Sequence, residues 1–110
     1  MTGVQTCALL ICHTLVNNAG ILRGGSMAEM PLDDWNRVLA VNLTGCFLVA
    51  QDFGRQMLAQ GRGSVIHLAS IAATFPTANA GAYSVAKAGV AMLSRQLAME
   101  WAPQIGRAHV

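Results

Sequence analysis

The chain has 110 residues, of which 54% are hydrophobic and 11% are charged, and its formal net charge is +2. Soluble domains usually carry about 25% charged residues. The composition therefore excludes a disordered chain and favours an inner piece of a larger fold or a subunit with large interfaces. The basic residues are scattered, which argues against nucleic-acid binding. No apolar run approaches the ~20 residues that span a membrane.

Cysteine usage indicates the compartment. The three cysteines are Cys7, Cys12 and Cys46. An odd number in a cysteine-poor chain predicts reduced thiols and a cytoplasmic location. The three histidines are too scattered in the sequence to complete a metal site with these thiols, so we expect no metal.

The first predicted element is a short buried strand over residues 14–18. The run Thr14-Leu15-Val16-Asn17-Asn18 is apolar and partly β-branched, and Ala19-Gly20 follows as an exit turn. Such runs are typical of strands in a parallel sheet, which are covered on both faces. Residues 23–26 are predicted to form a loop.

A long helix is predicted next, from about Leu32 to Gln60. Pro31 suits the first helical turn. The middle of this helix, residues 39–50, is apolar almost all round, so we expect it to be covered by a sheet and by a partner subunit. Gly45, Gly54 and the polar pair Asn42 and Thr44 favour a bend.

The second half repeats the pattern. Residues 61–63, Gly-Arg-Gly, end the long helix, and residues 64–70 form the second predicted strand. A loop of small residues, Ile71 to Ala82, leads to a last helix from about Tyr83 to Trp101. Two strands joined through a helix form a βαβ unit. The predicted fold class is α/β, with no second domain.

Four polar residues stand out against this background. Tyr83 is the only tyrosine and Lys87 the only lysine, and their spacing of four puts them on one helix face. Ser70 ends the second strand, at the sheet edge where active sites of parallel sheets form. Asn42 lies in an apolar helix, a costly position for an amide without partners.

These residue types suit proton transfer at a substrate oxygen. An ammonium beside a phenol favours the phenolate, which can then exchange a proton near neutral pH. A serine hydroxyl can hydrogen-bond the same oxygen as charge develops on it. The structural alternative is that Tyr83 and Lys87 are surface neighbours and that Ser70 caps a turn.

The motifs around these residues occur in one order and at one spacing in a known family. They are Leu15-Val16-Asn17-Asn18-Ala19-Gly20, Val41-Asn42-Leu43, Ile66-His67-Leu68-Ala69-Ser70 and Tyr83-Ser84-Val85-Ala86-Lys87-Ala88. With these motifs the chain resembles the short-chain dehydrogenase/reductase family over about residues 14–103. The resemblance implies part of a Rossmann-type, doubly wound parallel sheet.

The resemblance also implies a catalytic tetrad. Its members are Asn42, Ser70, Tyr83 and Lys87. Tyr83 is then the general acid/base, Ser70 holds the substrate oxygen, and Asn42 positions a water in the proton relay. Lys87 binds the nicotinamide ribose hydroxyls and favours the deprotonated form of Tyr83.

Cofactor and partners follow from the same resemblance. NAD or NADP, which the sequence does not distinguish, would be contacted by Asn17, Tyr83 and Lys87, whereas Asn18 would brace the strands. The implied substrate is a small-molecule alcohol or ketone, and a sugar or polyol, an acyl-thioester ketone and a steroid are all compatible. The implied partner is a second copy of the chain, bound through the two long helices. The alternative function is that of an inactive association segment.

The two ends of the chain do not match the family. One strand of a common sequencing adapter translates to residues 105–110. The other strand translates to residues 1–11, except at Leu10. We therefore interpret residues 12–104 as a partial NAD(P)-binding domain between non-native ends. The Thr-Gly-x-x-x-Gly-x-Gly turn that holds a pyrophosphate does not occur in these 110 residues. We expect the chain by itself to be inactive and barely stable.

Overall fold

The computed structural model describes residues 12–109, and their side chains through residue 104. Three parallel strands, β1, β2 and β3, lie side by side in that order. The strands are β1 (Thr14–Asn17), β2 (Gly63–His67) and β3 (Gly106–His109), and the helices are α1 (Leu32–Leu39), α2 (Gly45–Gln60) and α3 (Ala82–Ile105). This arrangement confirms the α/β class.

The predicted long helix is continuous but not regular. A π-helical segment, Ala40–Thr44, joins α1 to α2 at the place where the sequence predicts a bend. Such segments widen a helix by one residue and frequently occur at functional sites. The helix ends at Gly61, which has a left-handed φ of 78° and donates its N–H to the carbonyl of Met57. The predicted stop is therefore confirmed.

The prediction of two strands was wrong. Residues 106–109 form a third strand, whose backbone pairs with β2 from Gly63 to Ile66. Helix α3 accordingly runs on to Ile105, with Pro103 inside its last turns. The reason is physical: β2 has a second edge, and any extended backbone beside it can complete the hydrogen bonds. Strand pairing uses backbone groups that any residue carries, so the interpretation of residues 105–110 as non-native stays a prediction. Residues 1–11 lie outside the described part.

The main apolar core lies between one face of the sheet and helices α2 and α3. Its buried members are Leu15, Ala50, Phe53, Met57, Val65 and Leu97. The two helices approach each other closely, since a Cβ at Gly54 would collide with the indole ring of Trp101. On the opposite face of β1, Val16 remains 54% exposed. The described helices therefore cover one face of the sheet.

Two further observations concern the setting of the chain. Within residues 12–109, none of the helices combines the length and apolarity that crossing a membrane requires. Cys12 and Cys46 are free thiols, whereas Cys7 lies outside the described residues. The cytoplasmic location stays a prediction.

Candidate active site

A cavity of about 570 Å³ lies beyond the carboxyl ends of β1 and β2. It is formed by the segments that follow these two strands and by the start of α3, as expected for an open parallel sheet. The lining residues are Asn18, Gly20, Ile21, Leu22, Leu68, Ala69, Tyr83 and Lys87. Two of the four candidate tetrad residues thus line the cavity directly.

Tyr83 and Lys87 lie one turn apart on α3 and share a face. The side chain of Lys87 is only 4% exposed, and its Nζ donates a hydrogen bond of 2.9 Å to the carbonyl oxygen of Leu68. The same Nζ lies 5.7 Å from the centre of the Tyr83 ring. Lys87 therefore reaches from the helix to the end of β2, so the alternative that it is a surface lysine is wrong.

Ser70 begins the short 3₁₀ turn Ile71–Ala73 that follows β2. Its Oγ accepts a hydrogen bond of 3.2 Å from the backbone N–H of Ala72. Ser70 is therefore a capping residue, as the structural alternative predicts. A hydroxyl that accepts through one lone pair still has its proton to donate, so the cap does not prevent a second role. Ser70 directly follows Ala69, which lines the cavity.

Asn42 is fully buried within the π-helical segment. Its Oδ1 accepts from the N–H of Ile21 at 2.8 Å, and its Nδ2 donates to the carbonyl of the same residue at 2.7 Å. These two bonds explain how an amide is tolerated in an apolar helix. The amide thus clamps the backbone of a residue that lines the cavity.

The two neighbouring asparagines differ in placement. Asn17 is 8% exposed, and its Nδ2 donates to the carbonyl of Cys46 on α2 at 3.1 Å. Asn18 is exposed and lines the cavity. Asn17 therefore ties β1 to α2, while the cofactor contact expected of Asn17 and the bracing of the strands expected of Asn18 stay predictions. The alternation along β1 predicts the burial of Asn17, because Leu15 in the core places Asn17 on the same face.

Burial shifts the pKa values of two residues near the ends of β2 and β1, His67 and Cys46. His67, at the end of β2, has no exposed surface, and neither of its ring nitrogens has a hydrogen-bond partner among the described side chains and backbone. Burial lowers the pKa of His67, because desolvation disfavours the charged imidazolium. Burial also raises the pKa of the Cys46 thiol, and the charge of Lys87 partly opposes that rise. No local pattern in the sequence marks either residue as part of the site.

Comparison with known proteins adds a sequence relationship. A family model described as short chain dehydrogenase matches residues 9–107. D-threitol dehydrogenase of Mycolicibacterium smegmatis is 44% identical over 87 residues, which cover 79% of this chain and 34% of that protein. NAD-dependent glycerol dehydrogenase of Listeria innocua is 37% identical over 89 residues, which cover 81% of this chain and 35% of that protein. The chain spans about a third of the length of these relatives.

A solved structure is similar over nearly the whole chain. Gluconate 5-dehydrogenase of Burkholderia cenocepacia, in complex with NADP and tartrate, superimposes with a TM-score of 0.88 at 31% identity. The match covers 94% of this chain and 42% of that one. This likeness confirms the predicted fold, part of a Rossmann-type parallel sheet.

Proposed function

The chain belongs to the short-chain dehydrogenase family, and on this premise we propose that it carries the catalytic centre of an NAD(P)-dependent oxidoreductase acting on an alcohol/carbonyl pair. The observation that carries the proposal is the buried Lys87, held by the carbonyl of Leu68 in the wall of the cavity and 5.7 Å from the Tyr83 ring centre. Because the chain spans about a third of its relatives' length, the activity is proposed for the full-length gene product.

The cavity fits the nicotinamide end of NAD or NADP. Lys87 offers a buried ammonium to ribose hydroxyls, and Asn18 offers an exposed amide on the same wall. When bound, the cofactor supplies or accepts the hydride. Among the contacts that the resemblance implies, Tyr83 and Lys87 line the cavity, whereas the side chain of Asn17 donates to the carbonyl of Cys46 on α2.

Residues of this chain transfer the proton of the substrate hydroxyl. In the direction of alcohol oxidation, the substrate hydroxyl gives its proton to Tyr83 Oη, and in the reverse direction Tyr83 returns it. The Ser70 hydroxyl donates to the same substrate oxygen as negative charge develops there. Asn42 positions a water in the proton relay, as the resemblance implies, and its side-chain amide also fixes Ile21 beside the cavity. Small neutral alcohols, polyols and ketones suit a wall whose only charged lining residue is Lys87.

Two assays of the full-length product test the proposal: the oxidation of NADH or NADPH with a panel of ketones, and the reduction of NAD⁺ or NADP⁺ with polyols and other alcohols. Tyr83→Phe is expected to lower kcat about 10²–10⁴-fold, as is typical when a general acid/base is lost, with little change in cofactor affinity. Lys87→Met is expected to weaken cofactor binding as well. Thr77→Val, which removes an exposed hydroxyl from the loop before α3, is the control. Near-normal turnover of Tyr83→Phe would contradict the assignment.

A second proposal, association through α2 and α3, rests on their outer surfaces. Val85, Met92 and Met99 follow one another at intervals of seven residues along α3 and are 46%, 57% and 78% exposed. Phe47 and Leu48 on α2 are 43% and 51% exposed. Rows of exposed apolar side chains on soluble proteins mark interaction surfaces. We expect light scattering of the full-length product to show an oligomer; a stable monomer at micromolar concentration contradicts this.

A further inference from the structure

We propose that Gly20 is a positioning residue of the candidate site: the absence of a side chain at position 20 allows Asn42 to clamp Ile21 and so fixes the wall of the cavity. The inference rests on the proposed function and adds a residue to its machinery. It concerns the segment directly after β1, which meets the π-helical segment at this point.

Gly20 lies between the cavity and two buried side chains. It lines the cavity beside Ile21 and Lys87. A Cβ added to Gly20 would lie 2.6 Å from Asn42 Oδ1 and 3.5 Å from Lys87 Nζ. The second distance is an ordinary contact, whereas the first is far shorter than carbon and oxygen atoms tolerate. The steric requirement for glycine therefore comes from Asn42.

Asn42 has little room to give way. Its side chain has no exposed surface, and the oxygen that a Cβ would strike is the atom that accepts the hydrogen bond from Ile21 N–H at 2.8 Å. Because densely packed interiors respond to an added methyl group with shifts of side chain and backbone, a side chain at position 20 is expected to separate Asn42 from Ile21. That movement displaces the cavity wall next to Tyr83 and Lys87.

A neighbouring glycine provides a matched control. A Cβ at Gly24, in the same loop, would meet only the carbonyl oxygen of Asn79 at 3.5 Å, an ordinary contact. Gly24 does not line the cavity. Gly20→Ala and Gly24→Ala therefore add the same methyl group to the same loop, and only the first strikes Asn42.

The experiment compares these two variants in the full-length gene product by steady-state kinetics and by hydrogen exchange of the Ile21 amide. Gly20→Ala is expected to lower kcat about 10- to 100-fold, the effect of small misplacements near a reacting centre, with less change in cofactor affinity. The Ile21 amide is expected to exchange about five- to tenfold faster, because its hydrogen bond is lost. Gly24→Ala should leave both quantities within about twofold of the wild type.

Exchange and turnover that stay at wild-type levels in Gly20→Ala overturn the inference and leave the proposed function intact. If the wild-type protein shows no dehydrogenase activity, the proposed function fails, while the exchange of Ile21 still decides whether Gly20 positions Asn42. Should Gly20→Ala fail to fold, the double variant Gly20→Ala/Asn42→Ala removes the colliding oxygen and is expected to restore the fold. A double variant that fails to fold where Asn42→Ala alone folds overturns the assignment to Asn42.

Discussion

The space between the sheet and helices α2 and α3 has two chemically different ends. At the end nearer the amino termini of the strands, Leu15 and Val65 pack on Phe53 and Met57, and the core is wholly apolar. At the carboxyl end, the same layers bury polar side chains. These are Asn17, Asn42, His67 and Lys87, while a further buried polar residue, Ser94, lies later along α3.

The difference shows how this fold can place polar groups inside an apolar chain. Asn17, Asn42 and Lys87 are each tied to the backbone of another segment, namely to Cys46, Ile21 and Leu68. Buried polar groups need such partners, because an unpaired one carries its full desolvation cost. The apolar end stabilises the fold through packing. At the polar end, burial of polar groups costs stability, and their hydrogen bonds fix the geometry of the site.

The largest effect is expected at the apolar end. Met57 has no exposed surface and belongs to the main core cluster. Met57→Ala in the full-length product should lower the free energy of unfolding by about 2–5 kcal/mol, because it removes buried apolar contacts and leaves a cavity. Urea unfolding measures this. Met27→Ala makes the same change at a position that is 57% exposed and lies outside α2 and α3; it is the control and should stay within about 0.5 kcal/mol. Equal effects would remove the distinction.

A smaller effect is expected for the clamp at the polar end. Asn42→Ala leaves the N–H and the carbonyl of Ile21 without their side-chain partner, which should cost about 1–3 kcal/mol in unfolding free energy. Asn36→Ala, at an exposed position on α1, makes the same chemical change without a clamp to lose. A loss for Asn42→Ala no larger than for Asn36→Ala would show that the clamp does not stabilise the fold.

The smallest effect on the free energy of unfolding near neutral pH is expected for His67, and this effect depends on pH. Burial lowers the pKa of His67 in the folded state, so below the usual value of about 6.5 the unfolded chain binds more protons than the folded one. Stability should therefore be complete above that pH and decline as the pH falls below it. In urea unfolding, His67→Leu should remove part of this decline, while His13→Gln, at an exposed position, should not. Identical pH dependence in the wild type and His67→Leu would contradict this.

Much of the fold follows from local patterns in the sequence. The apolar β-branched runs predict β1 and β2, and glycine at position 61 predicts the end of α2. The third strand was missed, because residues 106–109 carry no strand pattern and pair through the free edge of β2. For Ala40–Thr44 the sequence predicted a bend but not a π-helix. The hydrogen bonds of Asn42 in this segment go to Ile21, 21 residues away, and no local pattern shows them.

The candidate site was predictable to a different extent. The spacing of Tyr83 and Lys87 on one helix face sufficed to place them together, and the structure confirms this placement. The partners of Lys87 and Asn42 lie 19 and 21 residues away in the sequence, so no local pattern identifies them. The burial of Asn17 on the same face of β1 as Leu15 could have been found from the strand alternation.

The hydrogen bond from Lys87 to Leu68 has a consequence for the energetics of ligand capture. A free lysine side chain carries about 2 kcal/mol of rotamer entropy, which is lost when its ammonium is fixed. Here the loss is incurred during folding, because Nζ is already held 2.9 Å from the Leu68 carbonyl oxygen. A ligand that binds this ammonium does not have to order the lysine side chain. The free energy of binding therefore carries no entropy cost for fixing Lys87.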